Sequence, residues 1–212
     1  MSAIQRIIGL VLTLAVPGAA AAQSPAGPTW APEISVSGGL GHVFRWEDQT
    51  YGDKPDVGGA VTVVYRSKFA IDLAFDRVIG LEPRLVPCGL VNVECVGIAH
   101  YGPYSAAVTS LAFQYRFAGT RVRPYLLGGL GVLWSKSLHS LTQVQGPIAI
   151  VSESASSDRG FGPDLGAGVR ITFGRHFAVS PEIRWLDAPW LSRENLAVTR
   201  LVVRVSYAPM TQ

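Results

Sequence analysis

Residues 164–185 alternate faces without a break: Asp164-Leu-Gly-Ala-Gly-Val-Arg-Ile-Thr-Phe173, the turn Gly174-Arg175-His176, then Phe177-Ala-Val-Ser-Pro-Glu-Ile-Arg-Trp185. Leu165, Ala167, Val169, Ile171, Phe173, Phe177, Val179, Ile183 and Trp185 fall on one side. Asp164, Gly166, Gly168, Arg170, Thr172, Ser180, Glu182 and Arg184 fall on the other. Period two is the signature of strands whose two faces meet different surroundings. In a soluble barrel the charged face meets water outside. In an exported chain the assignment can invert, with the apolar face toward lipid and the charges inside.

The N-terminus favours export. Arg6 precedes an apolar run from Ile7 to Val16, Pro17-Gly18 breaks it, and Ala20-Ala21-Ala22 offers a small-residue cleavage site before Gln23. A run of roughly ten residues is too short for a spanning helix, which needs about 20. Residues 1–22 therefore read as a signal peptide and the Pro-rich 23–32 as a flexible lead. Residues 33–207 read as one barrel and 208–212 as a short tail. Arg6 leaves with the leader, so the formal charge drops from +3 to +2. A pI near 9.0 thus reflects a small excess. No Lys/Arg cluster interleaved with aromatics suggests a nucleic-acid partner.

Eight alternating segments can be marked, at about 33–44, 56–66, 69–77, 104–117, 121–134, 161–173, 176–187 and 195–207. The links between them alternate in length. Ser67-Lys68, Ala118-Gly119-Thr120 and Gly174-Arg175 are short, whereas 45–55, 78–103, 135–160 and 188–194 are long. Short turns at one end and long loops at the other are the asymmetry of an outer-membrane barrel. The expected fold is all-β, an eight-stranded antiparallel up-and-down transmembrane β-barrel. Aromatics flank every short turn: Tyr65 and Phe69, Phe117 and Tyr125, Phe173 and Phe177, with Tyr207 on the last strand. They are expected to form one interfacial girdle, and Phe44, Phe75, Tyr104, Trp134 and Trp185 the other.

Parity assigns twelve charges to the interior. The acidic set is Glu33, Asp56, Asp72, Asp76, Asp164 and Glu182. The basic set is Arg66, Arg116, Arg170, Arg184, Arg200 and Arg204. Six against six predicts a neutral lumen, accompanied by Ser35, Ser37, Thr62, Ser110 and Gln114. Isolated buried charge is very costly, so the charges must pair. Eight strands enclose only enough room for side chains, which predicts a plugged lumen rather than an open pore.

Cys88 and Cys95 lie in one expected loop, and in an oxidising compartment they predict a local disulfide. Metal binding is the alternative reading, with His100 the one nearby ligand. Gly38-Gly39-Leu40-Gly41 and Gly128-Gly129-Leu130-Gly131 lack the residues of a phosphate-binding loop. In narrow barrels, strand glycines make room for large neighbours. No cofactor is expected.

Arg123-Pro-Tyr-Leu-Leu-Gly-Gly-Leu-Gly-Val132 resembles the Pro-Tyr-x-x-x-Gly-x-Gly strand of the small eight-stranded outer-membrane barrels of Gram-negative bacteria. That family includes the OmpA transmembrane domain, OmpX and the opacity proteins. Gly166-Ala-Gly168, its turn and Glu182-Ile-Arg184 resemble the family's next hairpin. The resemblance implies a monomer in contact with outer-membrane lipid and lipopolysaccharide, inserted by the barrel assembly machinery. It also implies that Tyr207 stands where the family ends on an aromatic, although five residues follow it here.

The expected role is structural, or surface recognition and adhesion through an external loop ligand, without catalysis. Two alternatives stay open: a lipid A-modifying barrel enzyme and a soluble periplasmic ligand-binding barrel. For the enzyme, His139 with Ser140 and His100 with Ser105 are the candidates. Neighbours on a strand face opposite ways, which counts against His139-Ser140 as a dyad.

Overall fold

The computed structural model describes residues 30–45, 49–82, 84–87, 98–145, 148–190 and 195–209. Alternating sequence becomes antiparallel strand throughout. The strands are β1 (Trp30–Arg45), β2 (Gln49–Tyr65), β3 (Phe69–Val78), β4 (Arg84–Pro87) and β5 (Ile98–Arg116). They continue with β6 (Val122–Gln145), β7 (Ile148–Phe173), β8 (Phe177–Asp187) and β9 (Leu196–Tyr207). Each pairs with its neighbour in the order β3-β2-β1-β9-β8-β7-β6-β5-β4, and β3 also pairs with β5, which closes the ring. The short β4 continues the line of β3, because both lie against β5, through Val78↔Ala106 and Arg84↔Tyr101. The result is a closed barrel of eight staves.

The connections differ from the expected ones at both ends. The short turns hold three, five and three residues: 66–68, 117–121 and 174–176. Arg66 and Ser67 adopt left-handed φ of 48° and 56°, and Gly174 does so at 65°. At the opposite end, much of what reads as loop is strand. The β1–β2 pairing runs out to Arg45↔Gln49 and the β6–β7 pairing to Gln145↔Ile148. The links expected at 45–55 and 135–160 are mostly hairpin, and β4 interrupts the one at 78–103. The Ser-rich strands above the barrel wall lack an apolar face, so hydropathy cannot announce them, yet the backbone ladder persists. β1 also starts at Trp30, inside the expected lead.

Outside, the barrel is apolar. Up to the level of Asp53, Arg77, Lys136, Arg159 and Asp187, no outward strand residue is Asp, Glu, Lys or Arg. Ile34, Val36, Leu73, Phe75, Leu111, Phe113, Leu126 and Val203 are all about half exposed. Eight residue steps separate Phe69 from Arg77, about 27 Å along the strand at ~3.4 Å each. A tilt of about 40° reduces this to about 21 Å of height, close to the ~25 Å apolar band of membrane barrels.

The interior has two tiers. Paired charges occupy the half nearer the short turns. Above them lies an apolar cluster of Val43, Val78, Leu81, Ala106, Val108, Leu133, Leu186, Ala188, Leu196 and Val198. The reading by charge alone overlooked this upper tier, although Val43, Leu133, Leu186 and Val198 share the inward parity.

Candidate functional site: lumen and hairpin rim

Nearest the short turns, Glu33 on β1 accepts from two arginines. Arg116 Nη2 lies 3.2 Å and Arg170 Nη1 2.9 Å from its Oε2. Gln114 Oε1 steadies Arg116 by accepting from Nε at 2.7 Å. Bidentate guanidinium–carboxylate contact is the geometry that best offsets burial of both charges.

The middle level centres on Asp72 of β3. It accepts from Thr62 Oγ1 at 2.7 Å, Arg204 at 2.8 Å and Arg184 at 3.1 Å. Glu182 accepts from Arg204 at 3.2 Å and from Tyr125 Oη at 2.6 Å. One level up, Arg184 lies 3.3 Å from Asp164, and Arg200 pairs with Asp76 and lies 3.6 Å from Asp164. Ser37 Oγ donates to Asp76 Oδ1 at 3.1 Å. These contacts join β1, β2, β3, β5, β6, β7, β8 and β9 across the lumen. A cavity of about 10 Å³ remains among Glu33, Gln114, Arg116, Tyr125, Arg170 and Arg204, room for about one water.

Two placements correct the sequence reading. Arg66 is not a lumen residue: it is exposed in the first short turn, its guanidinium 5.1 Å from the centroid of the Tyr65 ring. The left-handed turn carries it out of the strand's alternation. The inner set is consequently six carboxylates against five arginines. Asp56 bears the imbalance, being 1% exposed with neither carboxylate oxygen hydrogen-bonded. Tyr125 is not in the girdle but inside, 3% exposed, where it donates to Glu182. Its register partner Gly168 makes the room, since a Cβ there would sit 2.5 Å from the tyrosine ring.

At the long-hairpin end, the register reveals neighbours that linear spacing conceals. His100 on β5 is opposite Ser140 on β6, and Ser140 is opposite Glu153 on β7. Ser105 pairs with Lys136 instead. His42 faces outward, its Nδ1 2.8 Å from Asp53 Oδ1. Cys88 and Cys95 lie outside the described residues. Among the described residues no group of three His, Cys, Asp or Glu side chains is placed to hold a metal.

No protein-family model matches the chain, and a search of curated proteins finds no match. Among solved structures the chain is similar to Ail, the attachment invasion locus protein of Yersinia pestis, in complex with the heparin analogue sucrose octasulfate. That likeness has TM-score 0.53 at 10% identity, over 86% of this chain and 100% of that one. Neisserial surface protein A matches with TM-score 0.48 at 13% identity, over 83% of this chain and 96% of its own. At such identities the fold is what is shared. It is that of the small eight-stranded outer-membrane barrels.

Proposed function

We propose that this chain is exported, loses residues 1–22 and inserts into a bacterial outer membrane as a monomer, with the barrel assembly machinery completing the closed sheet. The observation that carries this reading is the exterior: eight staves without an outward Asp, Glu, Lys or Arg over about 21 Å of height, around an interior of paired charges. Water cannot be the solvent for such an outside, because contiguous exposed apolar surface of that extent drives soluble proteins together. The short turns and both strand termini share one end, through Ile34↔Tyr207, which suits the periplasmic side.

The lumen side chains form a plug, and the protein acts through its external hairpins in surface recognition or adhesion. Ail, which shares the fold, is an attachment protein crystallised with a sulfated ligand. An external ligand held by the hairpins is the corresponding reading here.

Fractionation combined with gel mobility tests the assignment. The protein should stay with outer membranes until detergent releases it, and should resist SDS at room temperature, shifting mobility only on heating. Recovery from the periplasm without detergent would instead establish a soluble ligand-binding barrel. A lipid A-modifying enzyme is the second reading, favoured by the backbone register that sets His100 opposite Ser140. On the leading reading, Ser140→Ala and deletion of the gene both leave the lipid A mass profile unchanged.

A further inference from the structure

The charges that end the apolar exterior are not spread evenly. Asp53 and Asp187 stand on β2 and β8, and Asp53 is engaged by His42. Arg77, Lys136 and Arg159 stand together on β3, β6 and β7. All three are exposed, and none has an ion-pair partner among the described residues. One row of the sheet runs Val57, Arg77, Ala107, Trp134, Arg159 through successive register pairs. The next row above holds Ser105 and Lys136. Strands lie about 4.8 Å apart, so Arg77 and Trp134 are about 10 Å apart across β5. Between these walls β5 presents Ser105 and Ala107, with the bulged and exposed Tyr104 at the upper edge, which makes a saddle with cations on both sides and a half-exposed hydroxyl between them.

Below the saddle and to its β2 side the exterior wall is dented. The row Val36, Gly59, Phe75, Thr109 has a glycine facing outward, where an added Cβ would meet one atom, Ser35 O, at 3.1 Å. Around it a depression of about 690 Å³ extends over Ile34, Val36, Val61, Leu73 and Phe75 to Tyr207. Its upper corner, Phe75 and Thr109, is one outward residue below Arg77 and Ala107 on the same strands.

We propose that this face binds one phosphorylated lipid of the surrounding leaflet, with a phosphate in the Arg77–Ser105–Lys136 saddle and an acyl chain in the Gly59 depression. Charge complementarity selects the head group. Arginine supplies planar paired donors to phosphate oxygens and lysine a mobile point charge. The depression selects an occupant with a hydrocarbon tail, and Arg159, one strand further, reaches a second anionic group of the same head. The inference rests on the membrane reading above.

The test is native mass spectrometry of the full-length barrel in detergent with added diphosphoryl lipid A. The wild type should retain one lipid. Arg77→Ala combined with Lys136→Ala should weaken retention at least tenfold, and so should Gly59→Leu, which fills the depression. Thr199→Val, on β9 across the ring from β5, should leave retention unchanged, and monophosphoryl lipid A should bind more weakly. Heat-shifted gel mobility checks that each variant is folded, so a failed membrane assignment is distinguishable from a failed site. Equal retention by the double variant would overturn the proposal. So would equal retention of a neutral lipid, or complete displacement by millimolar inorganic phosphate, which would mark a free-phosphate site.

Discussion

Arg200 illustrates how a single lumen residue holds several staves. Its guanidinium joins Asp76 of β3 and Asp164 of β7 while sitting on β9 at 1% exposure. Arg200→Ala removes the cation, leaving Asp76 buried without an arginine and Asp164 with Arg184 alone, a loss of about 3 kcal/mol. The temperature of the gel-mobility shift should fall accordingly, and an unchanged temperature would show that Arg200 bears no load. Asp56 behaves in the opposite way. It is the sixth carboxylate beside five arginines, and neither oxygen is hydrogen-bonded. Asp56→Asn removes the unpaired charge at nearly constant volume and should raise stability by about 1 kcal/mol. A lower unfolding temperature for that variant would mean that the carboxylate engages a donor after all.

Among the strands, glycine decides which pairs can approach. Tyr125 of β6 turns inward across Gly168 of β7 and reaches Glu182 of β8, so three successive staves are joined by one hydroxyl. Gly168→Val would drive two methyl groups into a ring that a Cβ alone already meets at 2.5 Å. The expected cost is about 2–3 kcal/mol from overpacking, plus the lost hydrogen bond. Refolding yield in detergent should fall, and Tyr125→Ala should partly restore it by vacating the space. The outer part of the β6–β7 hairpin is a different kind of element. Its ladder extends to Gln145↔Ile148, beyond the last β7–β8 pair at Asp164↔Leu186 and the Phe161↔Trp190 bridge.

For the molecule as a whole, the two interior tiers have one consequence for transport. A solute would have to disrupt the Arg–carboxylate layers and then the apolar cluster of Val43, Leu133, Leu186 and Val198. Purified protein in a planar bilayer should therefore show no steady conductance. Stable single-channel steps in the wild type would contradict the plug. The exterior, uniform around its circumference in hydropathy but lopsided in charge at the rim, allows the barrel one preferred lipid side.

Much of this architecture was legible in the chain because alternation is local. A residue two positions along a strand shares its neighbour's face whatever the strand pairs with. The eight staves, their order of turns, the inward side for Asp72, Asp76, Arg184 and Arg204, and the outward side for Phe69, Phe113 and Val203 all follow from that periodicity. Partners do not, because the lumen hydrogen bonds join side chains up to 137 apart in sequence, the separation between Glu33 and Arg170. Arg66 left the lumen because left-handed turn residues break the alternation, and Tyr125 entered it because only a glycine across the sheet gave its ring room. The strands above the apolar wall were hidden because hydrogen bonds, rather than a hydrophobic face, sustain them. The cationic saddle was hidden for a related reason: Arg77, Lys136 and Arg159 become neighbours only when β3, β5, β6 and β7 align in register.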